Sequence, residues 1–185
     1  MVNISKKLGK RMDYLETTSN GWEGGMAILW NLQVIQLISS EAVRSHISIE
    51  VKIVGNPETY LCTNVYGPQK LEAKLLLLST LSNLQIRYPQ AKAIFGGDFI
   101  MVTSLTEKRG GIRMLNRDNE AFKDFIKSAK WVDVFPKNGA FTWNNKMGGD
   151  RQITSRLDRF LVAETILLEG ITVESDILPS GGSDH

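Results

Sequence analysis

Cysteine and histidine are almost missing from this sequence. Its 185 residues hold one of the first, Cys62, and two of the second, His46 and His185. A single cysteine excludes an intrachain disulfide, which fits a reducing compartment. The same scarcity argues against zinc, whose protein sites draw mainly on Cys and His. Cys62 lies in a strand-like run and reads as a small buried hydrophobe. An excess of charge is missing too. The formal net charge is +2, so no global field marks a polyanion binder, and only a local basic groove could serve one. Long apolar runs do not occur: Leu75 to Leu78 falls far short of the roughly 20 residues that span a bilayer. Lys6, Lys7, Lys10 and Arg11 are not followed by the apolar segment of a signal peptide. The chain therefore reads as intracellular, nuclear or cytoplasmic, with no membrane partner. A phosphate-binding Walker loop, a dinucleotide fingerprint and a Gly-x-Ser-x-Gly elbow are all absent.

What is there is the composition of one soluble globular domain covering residues 1–185. Arg11–Thr17 and Gly25–Trp30 read as strands around a glycine-rich turn, and Val34–Ser39 as a third. Ile47, Ile49, Val51 and Ile53 alternate with His46, Ser48, Glu50 and Lys52. That period of two predicts a strand with one wet face, and it puts His46 in solvent. Tyr60–Tyr66 returns as a strand and stops at Gly67-Pro68. Leu71, Leu75, Leu78, Leu81 and Leu84 then mark one stripe of a helix that Leu76 and Leu77 widen. Residues 101–116 read as a mobile basic loop carrying Lys108, Arg109 and Arg113. Asp118 reads as the N-cap of a second helix with Phe122 and Phe125 on its apolar face. Short strands are expected at Trp131–Val134, Phe141–Trp143, Leu157–Val162 and Ile171–Leu178. Strands on both sides of one long helix predict an α/β protein with a mixed sheet.

The chemistry-bearing residues collect at the predicted strand ends. Ala91-Lys-Ala-Ile-Phe-Gly-Gly-Asp98 is a buried strand that ends in two glycines and a carboxylate, the end where α/β sheets place ligands. Asn64, Tyr66, Thr142, Asp158, Asp184 and His185 occupy similar positions. Carboxylates with hydroxyls and few nitrogens suit a hard cation such as Mg²⁺. Asp158 stands inside an apolar run, where a carboxylate needs a partner. That partner is either a functional one or the guanidinium of Arg156 or Arg159. Ser183, His185 and Asp158 could spell a hydrolase triad, but no nucleophile elbow supports one.

Four stretches occur in a characteristic order: Asn64-Val-Tyr66-Gly-Pro68, Gly97-Asp98-Phe99, Arg156-Leu-Asp158-Arg-Phe-Leu and Ser183-Asp-His185. In this the chain resembles the endonuclease/exonuclease/phosphatase superfamily. The wording of Gly24–Trp30, Phe141-Thr-Trp143 and Ser155–Asp158 is most similar to the endonuclease domain of plant-type non-long-terminal-repeat retrotransposons. The resemblance implies a four-layer α/β/β/α sandwich and Mg²⁺- or Mn²⁺-dependent hydrolysis of DNA phosphodiesters. It implies that Asp98 activates water and that His185, held by Asp158, meets the scissile phosphate. Asp184, with Asp98, would serve the metal. Tyr66 and Thr142 would hydrogen-bond phosphate oxygens, and Asn64, Ser183, Arg109 and Arg151 would contact phosphate or DNA. It further implies a monomer that in its parent element is fused to a reverse transcriptase. Three departures are visible. Ile100 replaces the family's asparagine, the family's first strands with their metal-binding Glu have no counterpart, and neither does its last strand. These departures predict a domain incomplete at both ends with impaired activity. The alternatives are an inactive remnant with weak DNA binding through Lys108, Arg109, Arg113 and Arg151, or a phosphoesterase acting on small or lipid phosphates.

Overall fold

A computed structural model describes residues 11–17, 25–112 and 114–179. In chain order its elements are β1 (Met12–Glu16), β2 (Ala27–Asn31), β3 (Ile35–Val43), β4 (His46–Ile53), β5 (Thr59–Tyr66), α1 (Leu71–Arg87), β6 (Lys92–Asp98), β7 (Lys108–Arg109), α2 (Arg117–Ser128), β8 (Trp131–Val134), β9 (Trp143–Asn144), β10 (Thr154–Ser155), β11 (Asp158–Ala163) and α3 (Glu164–Leu168). Six strands form the central sheet in the order β3-β4-β5-β6-β11-β8. Every pairing in it is antiparallel except β5 with β6. That one parallel step is the connection that α1 makes, as a parallel crossover requires. β1 and β2 form a separate hairpin sheet, and β7-β10-β9 a third, small one.

The central sheet has a core on each face. On one side Leu61, Val65, Phe95 and Leu161 pack under Leu77, Leu81 and Leu84 of α1 and Phe122 of α2. On the other, Ile49 and Val51 pack under Trp30 of the hairpin sheet. The architecture is a mixed α/β sandwich, in agreement with the expected fold class. Among the described residues it comprises a helical layer, the six-stranded sheet and the two-stranded sheet.

The two cores explain the first corrections. The polar face of β4 is dry at its start, where His46 and Ser48 are as buried as Ile47 and Ile49, and half-buried at Glu50 and Lys52. Cross-strand bonds replace water there. His46 Nε2 lies 2.9 Å from Glu41 Oε1, and the hydroxyls of Ser48 and Thr63 are 2.9 Å apart. Polar alternation marks a second face, and either water or a hydrogen-bonded interior can satisfy it. In α1 the buried stripe is Lys74, Leu77, Leu78, Leu81 and Leu84, whereas Leu76 is exposed. Lys74 reaches Asp118 Oδ2 at 2.6 Å. Asp118 is therefore not the cap of α2; Asn116 precedes the helix and Asp118 lies in its first turn, paired with α1. Residues 101–112 are not a mobile loop either. Met101 and Val102 are buried, residues 105–107 form a 3₁₀ turn, and β7 pairs with β10. The predicted last strand, Ile171–Leu178, does not form: after α3 the chain runs on as an irregular tail. That tail makes one bridge, Pro136 to Ser175, and a reciprocal pair of hydrogen bonds between Asn138 and Ile177.

Candidate active site

β5 and β6 run in parallel and end together, and β11 begins beside them. Asp98 is in register with Tyr66 on one side and with Asp158 on the other. Side chains at matched positions emerge on one face. Tyr66, Asp98 and Asp158 therefore form a row across three adjacent strands, on the face opposite α1, with neighbouring strands about 4.8 Å apart.

Glycine permits this convergence. Gly97 has φ +133°, and a Cβ there would lie 2.1 Å from the Val65 carbonyl oxygen. At Gly67 a Cβ would meet the Phe99 carbonyl at 2.3 Å, and the Gly67 N–H donates to the Asp98 carbonyl at 2.6 Å. Any other residue at either position would push the ends of β5 and β6 apart. Asp98 then turns the chain: its Oδ1 accepts the Ile100 N–H at 2.9 Å. Ile100 sits at φ +53°, a left-handed conformation that a β-branched residue adopts only under strain.

Thr142 is placed by the next segment. Its Oγ1 accepts the N–H of Leu157 at 3.0 Å and of Asp158 at 2.9 Å. Those bonds occupy both lone pairs, so the hydroxyl proton is left to donate. Asn64 donates its amide to the Ala27 carbonyl at 3.2 Å, which ties the central sheet to the hairpin. Arg109 lies on β7 and Arg151 in the turn between β9 and β10, both exposed. The strand β10 that they flank runs on into Arg156 and Asp158. Ser183, Asp184, His185 and Arg113 lie outside the described residues.

Neither Arg156 nor Arg159 takes the role expected of it beside Asp158. Both guanidinium groups turn to Glu107 and Asp133. Arg156 Nη1 reaches Glu107 at 3.1 Å and Asp133 at 2.8 Å. Arg159 Nη1 reaches the same two carboxylates at 3.0 and 2.6 Å, and its Nη2 bonds Glu107 Oε2. The two side chains are 1% and 0% exposed, so this is an interior group of two cations and two anions with no net charge. It joins the 3₁₀ turn after β6, strand β8 and both flanks of Asp158. Burial pushes the Glu107 carboxyl up, but the Arg159 hydrogen bond and charge, the Thr103 N–H and the Arg156 charge outweigh it and hold the group below its ordinary 4.5. The sequence reading missed Glu107 and Asp133. The signal available to it was Arg-x-x-Arg around a carboxylate in an apolar run, which implies buried cations in need of acids. On Cys62, burial pushes the thiol up to about 11, so it stays protonated and inert at neutral pH.

A cleft of about 260 Å³ opens beside the row, lined by Gly97, Val134, Thr142, Asp158, Phe160 and Ile177 among others. The donor set of the row is oxygen alone. Such a set fits a hard divalent cation that keeps several waters and takes one or two carboxylates. Among the described residues no group of three or more His, Cys, Asp or Glu side chains gathers, so Asp98 and Asp158 are the carboxylates the row offers.

Known structures share this arrangement of layers. The endonuclease domain of TRAS1, a telomere-specific non-LTR retrotransposon, superposes with a TM-score of 0.65 over 85% of this chain and 69% of its own, at 13% identity. An endonuclease/exonuclease/phosphatase family protein from Bacteroides thetaiotaomicron gives 0.54 over 83% and 61%, at 15% identity. The fold is that of the endonuclease/exonuclease/phosphatase structures. D. rerio TDP2, solved in complex with a single-strand DNA product, gives 0.57 over 89% and 67%, at 14% identity. At these identities the likeness is one of fold, and this chain spans between 61% and 69% of those three chains. No protein-family model and no curated protein matches the sequence. Among the described residues no helix is long and apolar enough to cross a membrane.

Proposed function

We propose that this chain is a metal-dependent phosphodiesterase domain acting on DNA, of the retroelement endonuclease type found in plant non-LTR elements, with activity weakened in this sequence. The observation that carries the reading is the row Tyr66–Asp98–Asp158 at the shared end of β5, β6 and β11. In this reading Asp98 orients an attacking water and takes its proton. Tyr66 and Thr142 donate hydroxyl protons to phosphate oxygens whose charge grows during attack, and Asp158 holds His185 toward the phosphate. Asp98 and Asp184 would hold Mg²⁺ or Mn²⁺, which supplies Lewis-acid charge to the phosphate when bound. Arg109, Arg151, Asn64 and Ser183 form the outlying DNA contacts. In its parent element the domain works in nuclear or cytoplasmic space, joined to a reverse transcriptase, and nicks DNA.

Ile100 supports the weakened form of the reading. It fills with a side chain lacking donor or acceptor a left-handed position next to Asp98. Losing one preorganised donor costs on the order of 10²–10³ in rate. The test is nicking of supercoiled plasmid by pure protein with Mg²⁺ or Mn²⁺. We expect slow nicking that EDTA abolishes and that Asp98→Ala removes. DNA binding that weakens with salt, without any nicking under either metal, would replace this reading with an inactive remnant.

A further inference from the structure

The described sheets expose edges of very different kinds. In the β7-β10-β9 sheet the strands are two residues long. The β1–β2 hairpin has five-residue strands, with Asp13 and Glu16 on β1. β8, at one side of the central sheet, is four residues long, and the 171–179 tail meets its end through Ser175 Oγ on the Val134 carbonyl and the segment beyond it through the Pro136–Ser175 bridge and the Asn138–Ile177 bonds. β3, at the opposite side, is nine residues long and, among the described residues, pairs only with β4.

Sheet edges are normally guarded by lysine, proline or charge, because their free N–H and C=O groups invite another strand. Residues 34–43 contain no lysine, arginine or proline. Their one ionisable side chain, Glu41, is engaged by His46 and Arg87 of its own chain, the latter at 2.6 Å. Val34, Leu37, Ile38 and Val43 are each between 39% and 47% exposed, and Val54, whose N–H bonds the Val34 carbonyl, extends the patch. Among the described residues the guards of this edge are a bulge between Leu37 and Ser39 and the charge of Arg44, which follows the strand.

We propose that β3 is a self-association edge, on which a second copy of this chain pairs its own β3 antiparallel about a two-fold axis and joins two six-stranded sheets into one. Charge favours a copy as the occupant. The charged groups at the edge, Glu41 with its partner Arg87 and the flanking Arg44, are of opposite sign, so an antiparallel copy meets like charges only where Glu41 faces Glu41 or Arg44 faces Arg44, and the two edges present identical apolar residues to each other. Each β3 edge is used up by the other, so the assembly closes at two, as an isologous contact does. This departs from the monomer that the resemblance implies. A single nine-residue edge with five apolar side chains covers less than the roughly 800 Å² per partner of a standard interface, so the dimer is weak and concentration-dependent. It does not rest on the proposed catalytic reading.

Sedimentation equilibrium from about 1 μM to about 200 μM tests it across the range of a weak dimer. The weight-average mass should climb from the 20.7 kDa of one chain toward twice that value. Ile38→Lys, and Leu37→Lys with Ile38→Lys, should raise the dissociation constant at least tenfold while circular dichroism stays unchanged. Leu76→Lys, on the exposed face of α1, should leave the dimer intact. A mass constant at one chain, growth past two, undiminished dimer in the β3 variants or equal loss in Leu76→Lys each overturns the proposal. If the lysine variants do not fold, amide exchange decides on the unaltered protein. β3 amides that slow with rising concentration support the proposal, and unchanged exchange defeats it.

Discussion

Replacing Glu107 with Gln probes what holds the strand that carries Asp158. The carboxylate accepts from Arg156 at 3.1 Å, from Arg159 at 3.0 Å and from the Thr103 N–H at 2.6 Å, in a group with almost no access to water. Glutamine keeps the size and loses the charge, which leaves two buried guanidinium groups on one carboxylate. Removing one partner of a buried pair costs about 3–5 kcal/mol. For a domain of this length that is a fall in melting temperature of about 6–20 °C. Urea titration at pH 7 should show the loss as a lower midpoint at constant slope. The pH dependence carries a second signature. Glu107 is held below its ordinary 4.5 in the folded state, so its contribution is complete above that value. It is lost as pH falls through the lower folded value. The wild type should therefore lose stability on acidification below about pH 4.5 more steeply than Glu107→Gln does. Converting all four members to apolar residues of similar volume should be neutral or stabilising by about 1–4 kcal/mol. A loss under about 1 kcal/mol in Glu107→Gln would refute the view that this group is the interior clamp of the fold.

Substitutions at three further positions test the row itself. Gly97→Ala should cost about 3 kcal/mol in urea, because a Cβ at φ +133° meets the Val65 carbonyl at 2.1 Å; a loss below half of that would mean the strand ends have room to part. Ile100→Asn should stand about 1 kcal/mol above Ile100→Val in the same titration, since asparagine tolerates the left-handed conformation and valine does not. Equal midpoints would remove the strain argument. Thr142→Val leaves the Leu157 and Asp158 N–H groups without their acceptor, which should cost about 2 kcal/mol and speed amide exchange at both, whereas Thr142→Ser should restore them.

Much of the architecture was legible because it rests on local patterns. The leucine spacing of α1, the turn at Gly67-Pro68 and the β-branched runs of β4 and β5 each follow from one segment's own chemistry. The misreadings share one cause, which is that a polar side chain does not announce whether water or protein will satisfy it. His46 and Ser48 looked solvated and are buried against Glu41 and Thr63. Asp118 looked like a cap and is an interhelical partner of Lys74, 44 residues away. The loop after β6 looked mobile because its basic residues were visible and its buried Glu107 was not distinguished from any other glutamate. The Asp118 and Glu107 errors are contacts between residues more than 40 apart in sequence, which no single window contains, whereas Glu41 lies five residues from His46 and shows its role only once β3 and β4 are paired.

The row was legible for a different reason, and the same geometry could have excluded one of the alternatives kept for Asp158. Successive side chains of a strand leave on opposite faces. Once Leu157–Val162 reads as a strand, Asp158 and Arg159 cannot pair with each other across it. The alternation sends Arg159 to the face of Leu161 and Ala163, under the helices, where it must find acids to survive burial. It sends Asp158 to the face of Phe160, beside Asp98. An arginine adjacent to an aspartate in an extended segment thus points to two separate environments, one closed and neutralised and one at the sheet's end. The sequence names the second through its neighbours Gly97 and Asp98. The first needs a cross-section of the fold, because its acids come from a turn about 50 residues earlier and from the neighbouring strand β8.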